Sequence, residues 1–141
     1  MPKDEIRNSK LESRRTPPAV RDFTDLHAWQ HARELRKPIY ELTLKFPVDE
    51  RFGLTSQLRR AAVSITANIA EGFGRFSFQE NIQFCKQARG SAFEVRDHLT
   101  TALDQEYITK EDLQCADQLA QRVIQTLNGY IRSTKNRQSD A

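Results

Sequence analysis

Cysteine is almost missing: Cys85 and Cys115 are the two present in 141 residues. Two thiols cannot make a disulfide framework, and their separation fits no familiar zinc-cluster spacing, so both are expected to be free. Glycine and proline number five each, too few for a collagen-like or low-complexity chain. No stretch approaches the roughly 18 uncharged apolar residues of a membrane span, and Met1 to Arg21 holds no apolar segment of a secretory leader. A cytoplasmic protein without membrane contact is the expectation. Strand-like alternation is also lacking. What remains is 38% apolar and 29% charged residues in a length suited to one domain, which points to a compact helical protein.

The formal charge of +3 invites a nucleic-acid reading, but its placement tempers it. Met1 to Asp22 and Arg132 to Ala141 each carry a net +2, leaving Phe23 to Ile131 at −1. Within that body the half from Asp25 to Arg75 is net +2 and the half from Phe76 to Ile131 is net −3. Any polyanion site must therefore come from local clustering.

Residues 1–22 combine mixed charge, Pro2, Pro17 and Pro18 with no apolar period, and are predicted to be a disordered arm. From Leu26 the residues Trp29, Ala32, Leu35, Ile39, Leu42 and Phe46 recur at helical steps, with Thr24 or Asp25 as N-cap and a kink expected at Pro38. A second helix is predicted from Leu54 to Gly72 on Leu58, Ala61, Ala62, Ile65 and Ile69, with Gly72 and Gly74 supplying a left-handed C-terminal cap. A third opens with a capping box at Ser77 and Glu80 and carries Phe78, Ile82, Cys85, Ala92, Leu99 and Leu103. Thr109 and Asp112 open a fourth, with Ala116, Ala120, Val123, Ile124, Leu127 and Ile131 on its stripe. Short connectors make these helices antiparallel neighbours. The predicted fold is an all-α, single-domain, up-down-up-down four-helix bundle over 23–134, with a flexible tail over 135–141.

The second helix breaks the amphipathic rule. Ala61 to Ala70 contains no charge, and Val63, Thr66, Ala67 and Ala70 point away from the core stripe. Leaving that side wet would expose an apolar strip, so these four residues are predicted to form a homo-oligomer interface. Between the two sides runs a polar row of Gln57, Arg60, Ser64, Asn68 and Glu71, matched on the third helix by Gln87, Ser91, Glu94 and His98. Hairpin geometry predicts that Arg60 reaches Glu94. The row reads either as structural bonds between helices or as a binding surface.

These residues also carry a resemblance. FTDLHAWQHA (Phe23 to Ala32), the stretch from Ile39-Tyr40 to Phe46-Pro47, GLTSQLRRAAVSITANIAEGFGR (Gly53 to Arg75) and ARGSAFEV (Ala88 to Val95) resemble a bacterial family encoded in intervening sequences of 23S ribosomal RNA genes. The likeness spans Phe23 to Ser133 and centres on Gln57, Arg60, Ala61, Ser64, Asn68, Ile69, Ala70, Glu71, Gly72 and Arg75. It implies a pentameric four-helix bundle, no established reaction, and a link to ribosomal RNA through gene location. The fold is similar too to accessory proteins of diversity-generating retroelements, basic pentamers that bind nucleic acid and a reverse transcriptase. The near-neutral body departs from that second group, as Pro38 and the long N-terminal arm depart from the family pattern.

Catalytic constellations are not evident. His27, His31 and Glu34 share a helix face but lack a fourth metal ligand, and Cys85 and His98 lie nearly 20 Å apart on one helix at about 1.5 Å per residue. GFGR lacks the strand context of a phosphate loop. No metal or cofactor is expected. The RNA-binding candidates are Arg33, Arg36, Lys37, Arg59, Arg60, Arg75, Lys86 and Arg89, with Arg59 foremost because no structural partner for it is evident. The expected function is a non-enzymatic, homo-oligomeric module that binds RNA or a nucleoprotein, with a nucleic-acid enzyme as a further partner. The alternative is a protein-interaction scaffold that touches no nucleic acid.

Overall fold

In the computed structural model, which describes residues 19–140, four helices follow a short 3-10 turn at Phe23–Asp25. They are α1 (His27–Thr43), α2 (Leu54–Phe73), α3 (Phe78–Asp104) and α4 (Lys110–Asp140), and the connector from α1 to α2 contains a second 3-10 turn at Val48–Glu50. Each helix packs on its sequence neighbours, α1 and α4 close the square, and the diagonal pairs do not meet. Contacts taken in twos fix the antiparallel order of each hairpin: Arg36–Thr66 with Thr43–Arg59, Ser64–Ser91 with Gly72 against Phe84, and Arg89–Asn128 with Arg96–Asp117. This is the up-down-up-down bundle that the helical periods require.

The core is built from Leu35, Ile39, Leu58, Ile65, Ile69, Val95, Leu99, Val123 and Leu127, all fully buried. Every residue on the expected inner stripe of α2 after Leu54 is buried. The stripes of α1 and α3 sit slightly round from their expected positions. Ala28 and Thr43 take core positions in α1 while Trp29 packs at the edge, and Ala88, Val95 and Ala102 join the core in α3 while Phe78 stays 38% exposed. Small residues at these places let the helices approach closely, a packing signal that apolar periodicity alone understates.

The helix ends differ from expectation in three places. Neither Thr24 nor Asp25 caps α1: the cap position is Leu26, without a side-chain bond. Asp25 instead accepts the backbone N–H groups of Arg21 and Asp22 at 3.0 Å each, and these bonds hold its carboxyl below the usual range. Gly74 ends α2 at φ −74°, and no described glycine is left-handed. Gly72 serves close packing: a Cβ there would lie 2.7 Å from the Phe84 Cβ and 3.0 Å from Asn81 Oδ1. Third, α4 runs on to Asp140, so residues 135–140 are helical rather than a loose tail. The expected arm falls largely on residues 1–18, outside the described residues; Asp22 already anchors the first 3-10 turn.

The predicted capping residues of α3 and α4 do act. Ser77 accepts the Glu80 N–H at 3.3 Å, and Thr109 and Asp112 form the full reciprocal box at 3.1 Å for each bond. Pro38 lies within α1, which continues past it. Between α3 and α4, Tyr107 N–H returns to Ala102 O and Glu106 N–H to Leu103 O, both at 2.9 Å, with Glu106 at φ 62°. That is a Schellman closure with a glutamate in the position glycine prefers.

Candidate nucleic-acid interface

The eight predicted cations do not form one patch. The structure gathers Arg33, Arg36, Lys37 and Arg59 on the outer face of the α1–α2 hairpin. Arg60 lies round α2 toward α3, Arg75 sits at the α2–α3 turn, and Lys86 and Arg89 lie on α3. Arg75 is committed to Glu71 at 3.2 Å and lies over the Phe84 ring, and Arg89 donates to Asn128 Oδ1 at 2.8 Å. Those two are held by structural partners.

Two reciprocal contacts build the α1–α2 face. Arg36 of α1 donates from Nη1 to Thr66 Oγ1 of α2 at 3.0 Å, and Arg59 of α2 donates from Nε to Thr43 Oγ1 of α1 at 2.8 Å. Each threonine gives its own hydroxyl proton to a carbonyl of its helix, Thr66 to Val63 at 3.0 Å and Thr43 to Ile39 at 2.7 Å. A lone pair is thereby left for the arginine, and the two bonds polarise one another. A guanidinium has five N–H donors, so one anchored donor leaves four for a ligand on a side chain that is itself half-buried. Arg59 also stacks over Tyr40 at 4.9 Å and Arg33 over Trp29 at 5.7 Å. Sequence reading therefore chose Arg59 for the wrong reason: it has partners, and they orient it. The helical spacing of threonines opposite arginines was the signal that could have revealed this.

No described ion pair involves a cation of this face; those present join Arg75 to Glu71, Arg96 to Asp117 and His98 to Glu94. On α1, Lys37 shares its side with Glu34 three residues before it and Glu41 four residues after it, while Arg36 points to α2, which leaves the arginines as the strongest anion ligands.

The predicted oligomer strip falls on the same face and is smaller than expected. Thr66 is 4% exposed, buried within the chain by its bonds to Arg36 and Val63, and Ala70 is half-buried. Only Val63, 40% exposed, and Ala67 stay open. One of the four proposed interface residues, Thr66, is thus covered by Arg36 of α1.

The polar row divides as well. Ser64 and Ser91 hydroxyls meet at 2.9 Å across α2 and α3, and Asn68 Nδ2 donates to Ser64 O and Oγ at 2.9 Å, a closed internal set. Gln57 and Arg60 are exposed, and Arg60 does not pair with Glu94, whose carboxylate lies 3.4 Å from His98 Nε2. Glu71 is taken by Arg75. The seam between α2 and α3 is structural at its centre.

Other reactive groups stand apart. Cys85 is buried, and desolvation pushes its thiol up to about 12, so it stays protonated and packs as a small apolar group. Cys115 is exposed, and both thiols are free. Burial lowers the pKa of His31, with the positive Arg122 and His27 adding to the effect against Glu34. Burial raises Asp117, and hydrogen bonds from Arg96 and Gln121 overcome that and hold it below its ordinary value. On the outer side of α3 and α4 a cavity of about 410 Å³ is lined by Phe93, Arg96, Asp97, Leu113 and Asp117, with Phe93 49% exposed. No helix among the described residues is long and apolar enough to cross a membrane.

Comparison with known proteins agrees with this architecture. A crystal structure at 1.70 Å of a protein of unknown function from the S23 ribosomal protein family of Bacteroides thetaiotaomicron superposes with a TM-score of 0.69. It covers 74% of this chain and 97% of its own, and at 24% identity it shares the fold. No curated protein matches significantly. The 23S rRNA-intervening sequence protein family matches residues 24–129, from the first 3-10 turn into α4 and across both arginine–threonine contacts. The chain belongs to the 23S rRNA-intervening sequence protein family.

Proposed function

We propose that this chain is a non-enzymatic RNA-binding module that grips phosphates with the outer face of its α1–α2 hairpin. The observation that carries the reading is the pair of threonine-anchored guanidiniums, Arg36 and Arg59, flanked by Arg33 and Lys37 with no carboxylate among the described residues bonded to any of them. Anchoring matters because a free arginine loses rotamer freedom when it meets a phosphate, and these two have already lost it on folding. Planar forks also match phosphate oxygens in pairs. The family's association with ribosomal RNA genes makes RNA the natural polyanion. Self-association through a surface other than this face would repeat the patch and raise avidity, and native mass spectrometry at micromolar concentration reads the subunit number directly.

The test is titration of a labelled structured RNA against the full chain at several salt concentrations. Three to four neutralised phosphates give a log–log salt slope of roughly −3. Arg36→Glu with Arg59→Glu should abolish binding, while Lys86→Glu should leave most of it. Affinity no better than about millimolar at about 50 mM salt sinks the reading. A protein-interaction scaffold is the second reading, favoured by the exposed Phe93 in the α3–α4 cavity. In that case Phe93→Ser would weaken partner binding and Arg36→Glu would not.

A further inference from the structure

Resting on the RNA reading above, we infer that the α1–α2 face selects double-stranded RNA by the spacing of its phosphates and does not read unpaired bases. Proteins that hold single strands offer aromatic platforms for stacking and amides for base edges, whereas duplex binders meet phosphates and shape. Both rings on this face already carry a stacked guanidinium, and Tyr40 keeps 42% of its surface exposed beside Arg59. Tyr40 lies beneath Arg59 at 4.9 Å; Trp29 lies beneath Arg33 at 5.7 Å and packs edge-on against Phe23 at 5.4 Å. Nearby amides are engaged elsewhere: Gln30 donates to Thr24 O at 3.0 Å and Asn68 to Ser64 at 2.9 Å.

What the face presents instead is charge at fixed positions. Arg36 and Thr43 are seven residues apart on α1, as are Arg59 and Thr66 on α2, so the two anchored contacts stand about 10 Å apart along the hairpin at 1.5 Å per residue. A duplex holds its phosphates in regular rows and meets such a fixed pair without further ordering. A single strand must lose conformational entropy to do so, with no stacking to offset it.

The experiment compares a blunt RNA duplex with an unstructured single strand of equal phosphate number, both by fluorescence anisotropy with the full chain. The duplex should bind about tenfold more tightly at about 100 mM salt. Thr43→Val with Thr66→Val releases the arginines while keeping their charge, so duplex affinity should fall toward the single-strand value, which should hardly change. Ser64→Ala, in the closed seam, is the control for general destabilisation and should keep the preference. Equal or tighter binding of the single strand overturns this inference and leaves the RNA reading standing; no binding of either ligand overturns both.

Discussion

Two seams of the same bundle use polar residues in opposite ways. Between α2 and α3, Ser64, Ser91 and Asn68 bond to one another and leave little for a ligand. Between α1 and α2, threonines hold half-buried arginines that each keep further donors for a ligand. Equal polarity along a helix is therefore no guide to function. A set that closes within the chain stabilises the fold, and one that holds a charged group half-free prepares a site.

The sharpest way to break the contrast is to open the closed seam. Gly72→Ala forces a Cβ to within 2.7 Å of the Phe84 Cβ, which cannot rotate away, so α2 and α3 must separate near their turn. A loss of about 1–3 kcal/mol is expected by thermal or urea melting. Thr43→Val with Thr66→Val should cost about 1 kcal/mol for each hydrogen bond removed and should damage RNA binding far more than stability. Ser64→Ala reverses that pattern: about 1 kcal/mol in a melt, with RNA affinity unchanged. If the two threonine substitutions and Ser64→Ala give the same profile, the seams are equivalent and the distinction falls.

Smaller effects refine it. Gly90 lies inside α3, and a Cβ there would meet nothing within 4 Å. Gly90→Ala should therefore raise stability by about 0.5–1 kcal/mol through lost backbone freedom in the unfolded chain. His31 adds a pH dependence. Its pKa lies below the ordinary 6.5, so the folded chain favours the neutral ring while the unfolded chain takes the proton more readily. Its contribution is present above the unfolded value and is lost as pH falls through the folded one. Melting at a series of pH values should show this decline, and His31→Gln should flatten it.

Much of the fold was legible because apolar residues at helical steps leave little choice: Leu58, Ala61, Ala62, Ile65 and Ile69 all stand where their period puts them. The Ser77 cap, though not the return bond from Glu80, and the full box at Thr109 and Asp112 were legible for the same local reason. The misplaced features depend on neighbours. Gly72 reads as a terminator until α3 is seen against it, and Thr66 reads as outward until α1 covers it. The site was legible in composition, since Arg33, Arg36, Lys37 and Arg59 were all singled out, but not in mechanism. No local rule says that an arginine on one helix will find a threonine thirty residues away.

The turn at Glu106 offers a handle on both seams. With φ at 62°, this residue occupies backbone territory that a Cβ penalises, and a glycine there would relieve roughly 1 kcal/mol. Glu106→Gly would thus supply a sturdier parent, distant in sequence from either set of polar contacts, in which damaging substitutions remain folded and their ligand affinities stay measurable.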